Sequence, residues 1–446
     1  MSHAAHRPIL AAPLRFELEG GALALLEEAH AVPLVSLVIA LRTGAASDPP
    51  GKEGLARVAM RMLRRGCESM SSEQIDRRID VLGAEMAIDT SSATVAIHAQ
   101  VIARNLPAFV DLLARILASP TFPDDELQRL KRESIAEIID ARDSDRVVAQ
   151  KAMQRTLFEG HPYGRNAGGT IASVDAIEGA DVAAFYKRFV VRANIVLGLS
   201  GDVAADGATQ MARQLIAGLE VGVRAADDVP EPVMRPGRRL LLVDKPERTQ
   251  TQLLVATLGT SAHDPDHVAL YVANAVFGGT FTSRLMKEVR SKRGWSYGAS
   301  ARTAVDRHRQ AWLMWTFPAA EDAAPCLELM LTLMEHWVQK GVTPREIAFI
   351  KSYLVRSHAF EIDTAAKRLH QALDVELLAL PSDYFTTWID RVRTVTAEEA
   401  SKSVRERIRT DDLLVTVVAT AAKVLEPMQA AVPLLAETSV VPFDVE

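Results

Sequence analysis

The sequence predicts an α+β protein made of two tandem homologous domains, each a mixed β-sheet covered by helices on one side. Three observations carry this. The chain has 446 residues, enough for two domains of ordinary size. Hydrophobic residues make up 48% and charged residues 24%, so a substantial core can be buried. Five elements also recur in the same order in the two halves, at a spacing near half the chain length.

The repeat reads as follows. LVSLVIALRTGAASDPPGKEGLARVAMRML and TQLLVATLGTSAHDPDHVALYVANAVFGG each give an apolar strand, a turn and a helix, with Asp48-Pro49 and Asp264-Pro265 in matching places. TVAIHAQV and RQAWLMWTF are β-rich and precede the amphipathic helices AFVDLLARILAS and APCLELMLTLMEHWV. The Pro-initiated helices FPDDELQRLKRESIAEII and TPREIAFIKSYLVRS come next. In the second of these, Thr343 and Glu346 form a capping box, and Pro344 takes the first helical position, where its missing N–H costs nothing. DVAAFYKRFVVRANIVLGLSGDV and EEASKSVRERIRTDDLLVTVVAT each close a half on a helix and a strand. Gly222 to Arg239, rich in Pro and charge and without periodicity, reads as a linker. The expected units are therefore 1–221, a linker at 222–239, and 240–446.

A formal net charge of −6 argues against a nucleic-acid partner, which would want a basic face. Cys67 and Cys326 lie far apart, form no metal-ligand cluster and read as buried thiols. No apolar run approaches bilayer-spanning length, so no membrane span is expected. MSHAAHRPILAAPL holds too short an apolar segment for a secretory signal. The expectation is a cytoplasmic protein; the alternative is a periplasmic one whose native start has been replaced.

The stretch GLARVAMRMLRRG places Leu55, Val58, Ala59, Met62 and Leu63 on a core-facing side of a short helix. Arg57, Arg61, Arg64 and Arg65 occupy much of the rest. Together with LKRESIAEIIDARDS, HPYGR, RFVVRANIVLGLSGD and FGGTFTSRLMKEVRSKRGWSYGASA, it resembles the pitrilysin/insulinase family of zinc peptidases, the inverzincins, and the resemblance covers nearly the whole chain. It implies that active members carry H-x-x-E-H on this helix, two histidines binding zinc and the glutamate activating water, with a third, glutamate ligand on a later helix.

Here the histidine positions fall on Arg57 and Arg61, the base falls on Met60, and only Glu137 falls near the third ligand. A guanidinium has no free lone pair and a thioether is no general base, so the metal centre is read as lost. Arg57 and Arg61 are expected to form a solvated face. The alternative is that they pair with Glu137 or Glu133 in the vacated site. His263 with His267, His358 with His370, and His161 are read as structural rather than ligating.

Further along, FTSRLMKEVRSKRG reads as an amphipathic helix with Phe281, Leu285, Met286 and Val289 on one face and Gly294 as its C-cap. WSYGASARTAV then continues as a strand. This puts Arg290 in the last helical turn and Tyr297 near the strand start. The resemblance implies that an arginine and a tyrosine at this spacing hold the substrate carbonyl and stabilise its oxyanion. Gly278 and Gly279 are expected to allow close packing and to help a substrate chain pass.

The chain is thus expected to hold no cofactor of its own. It would be the non-zinc subunit of a heterodimer, with zinc in a homologous H-x-x-E-H partner and peptides or unfolded segments as substrates. The alternatives are a catalytically inert scaffold or peptide-binding subunit, and a self-sufficient protease with an unrecognised site.

Overall fold

The computed structural model describes residues 12–445, so residues 1–11, which carry most of the start read above for a signal, lie outside the described residues. In the first half, six strands form one mixed sheet: β1 (Leu14–Glu17), β2 (Leu23–Glu28), β3 (Leu34–Leu41), β4 (Glu85–Thr90), β5 (Val95–Ile102) and β6 (Ile195–Gly201). Their spatial order is β1-β2-β6-β3-β5-β4. In the second half, β7 (Arg238–Asp244), β8 (Gln252–Leu258), β9 (Ala299–Arg302), β10 (Ala311–Thr316), β11 (Leu413–Ala419) and β12 (Leu435–Pro442) are ordered β9-β10-β8-β11-β7-β12.

The inner topology repeats. β2 runs parallel to β6 as β7 does to β11, and β3 and β8 each pair antiparallel with both neighbours. The sixth strand breaks the repeat: β1 is antiparallel to β2, whereas β12 is parallel to β7. Strand β7 begins at Arg238, two residues inside the segment read as linker.

Helices α1 (Leu55–Met62), α2 (Leu106–Ala118), α3 (Asp124–Asp140), α4 (Asp145–Leu157) and α5 (Gly179–Phe189) belong to the first half. Helices α6 (His267–Asn274), α7 (Ala323–Lys340), α8 (Pro344–Ser357), α9 (Ala365–Leu377) and α10 (Ala397–Arg407) belong to the second. In the first core, Val35, Leu37, Ile39 and Leu41 of β3, alternating as a strand demands, meet Phe109, Leu113 and Ile116 of α2. In the second, Phe277 stacks on Trp337 at 4.4 Å between ring centroids, with Trp312 stacked at 5.6 Å. Thr343 and Glu346 form the expected capping box with Pro344 at the first turn, while Pro123 sits just before α3 as its N-cap.

Helices cover more than the one side of each sheet expected from the sequence. Val148, Ala149, Ala152 and Leu157 of α4, from the first half, pack on Leu241, Val243, Leu254 and Leu414 of the second sheet. Reciprocally, Leu369, Leu373 and Leu377 of α9 pack on Leu23, Leu25, Ala40 and Val196 of the first sheet. The fit is close enough that a Cβ placed on Gly198 of β6 would lie 3.0 Å from Leu373. Both sheets are therefore apolar on both faces, and each half supplies a cover for the other.

Polar contacts secure the exchange. Lys245 donates to Asp145 at 2.6 Å and to the Arg142 carbonyl at 2.7 Å, and Arg368 donates to Glu27 at 2.6 Å. The HPYGR segment also ties the parts together. His161 bonds the Pro230 carbonyl in the linker at 2.8 Å, fully buried Tyr163 donates to Asp306 at 3.4 Å, and Arg165 donates to the Asp48 carbonyl at 2.6 Å.

Candidate functional site: an arginine–carboxylate cluster and an exposed arginine–tyrosine pair

Helix α1 starts at Gly54, whose φ of +97° suits glycine, and is held there by Asp48. The buried Asp48 carboxylate accepts from the Gly54 and Ala56 amides at 2.8 and 2.9 Å. Burial pushes this carboxyl up to about 7, against the lowering effect of those two bonds. Asp264, its sequence counterpart, plays a different part: it accepts from the Ser261 amide at 2.8 Å and pairs with Arg407 at 3.2 Å.

The apolar side of α1 is wider than the periodicity indicates. Met60, at the base position, is 1% exposed and belongs to the first core together with Ala56, Val58 and Ala59.

Arg57 and Arg61 are not a solvated face, which corrects the favoured expectation. Their side chains are only 31% and 20% exposed, and both converge on Glu137 of α3. Arg61 grips its carboxylate in a two-pronged pair, Nη1 to Oε2 at 3.0 Å and Nη2 to Oε1 at 2.9 Å, while Arg57 Nη2 reaches Oε2 at 2.8 Å. Arg61 also donates to Ser134 at 3.3 Å. Partial burial works against the charged form of Glu137, but the two guanidinium groups hold its carboxyl below the usual range.

Arg65 continues the series, pairing with Glu133 at 2.5 Å and Glu126 at 3.3 Å, and Arg64 donates to Asp76 at 2.6 Å. Arg57, Arg61 and Arg65 stand at i, i+4 and i+8, opposite Glu126, Glu133 and Glu137 of α3.

This donor set does not fit zinc. At the positions where the family resemblance expects nitrogen ligands stand two cationic side chains, and the lone carboxylate is already neutralised. Among the described residues, no group of three or more His, Cys, Asp or Glu could hold a metal ion. His267 is a buried core histidine bonded through Nδ1 to Thr260 at 2.8 Å, and desolvation pulls it down to about 4. His358 sits 3.2 Å from Glu361, and His370 4.0 Å from Asp374. Both cysteines are buried and unpaired, and burial pushes Cys326 up to about 12.

In the second half, the helix expected over FTSRLMKEVRSKRG begins later, at Arg284, with Ser283 as its N-cap, and widens into a π-turn over Lys287–Lys292. Gly294 ends it at a φ of +67°, its amide bonded to the Arg290 carbonyl at 3.0 Å. The strand that follows is short, Ala299–Arg302, so Tyr297 precedes it.

Phe281 does not join Leu285 and Val289 in the core; it is 68% exposed and lies over Arg290 at 4.7 Å. Tyr297, 78% exposed, covers Arg290 at 4.4 Å. The guanidinium is thus held between two aromatic rings. It makes no hydrogen bond or ion pair with any described residue, and neither does the Tyr297 hydroxyl.

A second π-turn, Ala275–Gly279, precedes this segment. Gly278 is buried there, and a Cβ on it would stand 2.5 Å from the Ala301 Cβ. It is a packing glycine with no face for a passing substrate, whereas Gly279 is exposed. Asn274 secures the turn, donating to the Ala301 carbonyl at 3.0 Å and accepting from Trp312 at 2.8 Å. Among the described residues, no helix is long and apolar enough to cross a membrane.

Ser134 was not picked out by the sequence; Glu133 entered only as an alternative partner, Phe281 as a core-face residue and Asp48 as a marker of the repeat. The i, i+4 spacing of Glu133 and Glu137 on α3, equal to that of Arg57 and Arg61 on α1, was the readable signal.

Comparison with known proteins agrees with this geometry. Residues 23–171 match the family profile "Insulinase (Peptidase family M16)" and residues 176–354 match "Peptidase M16 inactive domain". The "Non-peptidase homolog YmxG" of Helicobacter pylori is 20% identical, over 89% of this chain and 91% of that protein. A solved peptidase M16 inactive domain from Pseudomonas fluorescens superposes with a TM-score of 0.84 at 24% identity, covering 92% of this chain and 98% of that one. The periplasmic protease PqqL from Escherichia coli gives a TM-score of 0.76 at 14% identity, covering 97% of this chain but 51% of that one. With the two family profiles matched in order over residues 23–171 and 176–354, and no H-x-x-E-H in the sequence, the chain belongs to the insulinase (M16) peptidase family as a member that lacks the zinc motif.

Proposed function

We propose that the chain is the non-zinc subunit of a two-chain zinc endopeptidase, a partner of similar size supplying H-x-x-E-H and its zinc. The observation that carries this reading is the pairing of Arg290 with Tyr297, both with donors uncommitted among the described residues, in a chain that has no H-x-x-E-H of its own. In the assembled enzyme, Arg290 and the Tyr297 hydroxyl would hold the scissile carbonyl of a peptide or unfolded segment and stabilise the oxyanion as it forms. The rings of Phe281 and Tyr297 would keep the guanidinium oriented before substrate arrives. Exposed Gly279 leaves room for the substrate chain beside them. The match of the whole chain to half of PqqL supports an architecture completed by a second chain. The compartment, cytoplasmic or periplasmic, follows that of the partner.

The test is cleavage of a fluorogenic peptide by the chain, by its co-purified partner and by both. Chelator-sensitive cleavage should require both chains and fall about 10²-fold in Tyr297→Phe, the order of loss for one oxyanion donor. Cleavage indifferent to this chain or to Tyr297 would reject the reading.

A second reading is favoured by a different observation: Arg290 is already packed against two rings, and the Helicobacter pylori relative is named a non-peptidase homologue. On that reading the chain is an inert scaffold or peptide-binding subunit.

A further inference from the structure

The guanidinium groups that replaced the metal ligands do more than close the site. Arg57, Arg61, Arg64, Arg65 and Arg129 line a cavity of about 480 Å³. Five guanidinium groups there face four carboxylates, Glu126, Glu133, Glu137 and Asp76, leaving one positive charge in excess. The donors are spent unevenly. Arg61 and Arg65 use both terminal nitrogens on their glutamates. Arg57 uses one nitrogen on Glu137, and Arg64 uses one on Asp76, so each keeps a further edge of its fork free. The two half-used guanidinium groups, Arg57 and Arg64, are also the partly open ones, 31% and 35% exposed.

The same cavity is bordered by Met86 and Ile88 of β4, the strand at the outer edge of the first sheet. An edge strand presents a row of backbone donors and acceptors to an added extended chain. A peptide laid along β4 would therefore run past an apolar wall and a cationic socket at once.

We infer that this socket binds a carboxylate of an extended peptide, held by the free edges of Arg57 and Arg64, so that the former zinc pocket selects anionic peptides instead of hydrolysing them. The inference rests on the reading of the chain as a peptide-handling subunit. The carboxylate has two possible sources, an acidic side chain or the chain terminus. Arginine suits either because its planar fork matches the carboxylate geometry.

The experiment uses the full chain and three otherwise identical fluorescent peptides: one with an internal Glu and an amidated end, one with Gln and a free C-terminal carboxylate, and one with Gln and an amidated end. Anisotropy titrations are run on the wild type and on the Arg57→Gln/Arg64→Gln double variant, whose fold is checked by circular dichroism. A thermal-shift titration with glutarate runs in parallel. At least one charged peptide should bind about 10-fold more tightly than the neutral one, and the preference should vanish in the variant and shrink at high salt. Which peptide gains identifies the source.

Equal binding of all three peptides would overturn the socket while leaving a peptide-binding subunit in place. If no peptide binds, yet glutarate raises the melting temperature of the wild type but not of the variant, the anion socket stands and peptide handling falls. A variant that keeps the full preference, or glutarate that stabilises both proteins alike, would also overturn the assignment.

Discussion

At the scale of single residues, the site is governed by where charge is buried. Arginine at positions 57 and 61 cannot shed its proton, so folding α1 against α3 requires a carboxylate opposite, and Glu137 provides it. Asp48 presents the converse case, a carboxyl desolvated so that it can cap the same helix. Its folded pKa of about 7 lies above the value of 3.8 expected when unfolded, so the native state holds the proton more tightly. The stability it contributes is therefore fully present below about pH 4 and is lost as pH rises towards 7. Asp48→Asn keeps the acceptor oxygen without the charge. Relative to wild type, this variant should gain in urea midpoint as pH goes from 4 to 8, with a slope of up to about 1.4 kcal/mol per pH unit. A wild-type/variant difference that stays flat over that range would contradict the buried-carboxyl account.

At the scale of elements, the repeat of strand, helix, strand, helix, helix was legible because each element carries its own period and stop signals. The Thr343–Glu346 box and the Gly294 cap are local chemistry and came out as read. The placement of Phe281 did not. Its spacing from Leu285 and Val289 suits a helix face, but the helix begins only at Arg284 and Phe281 turns outward onto Arg290. The pairing of α1 with α3 was legible only as one of two alternatives, since a row of arginines looks the same in sequence whether water or glutamate faces it.

Helix α9 carries a leucine at 369, 373 and 377, a stripe whose target lies in the other half. Leu373→Ala should cost about 2–5 kcal/mol, as for other buried leucines, because Gly198 cannot move in to fill the space. Chemical denaturation measures it; a loss below about 1 kcal/mol would mean that α9 is a loose cover.

At the scale of the whole molecule, the reciprocal covers make the two halves one folding unit. All 5 tryptophans lie in the second half, at 295, 312, 315, 337 and 388, so fluorescence reports chiefly that half and, through Trp315 under Arg146, its contact with α4, while far-ultraviolet circular dichroism reports both. The two unfolding curves should coincide, because losing either half strips α4 or α9 from the other half's sheet. Two separated transitions would show that the exchanged helices contribute little.

The sequence by itself determined the duplicated α+β order, the absence of zinc ligands on α1 and the proximity of Arg290 to Tyr297, because each follows from residue type and short-range spacing. Tertiary structure alone decided that Arg57 and Arg61 are spent in ion pairs with Glu137, that Gly278 is a packing residue, and that each sheet borrows a helix from the other half. Those outcomes depend on which surfaces meet across the chain, as for Arg61 and Glu137, 76 residues apart. Burial and charge compensation are settled only when those surfaces close on one another.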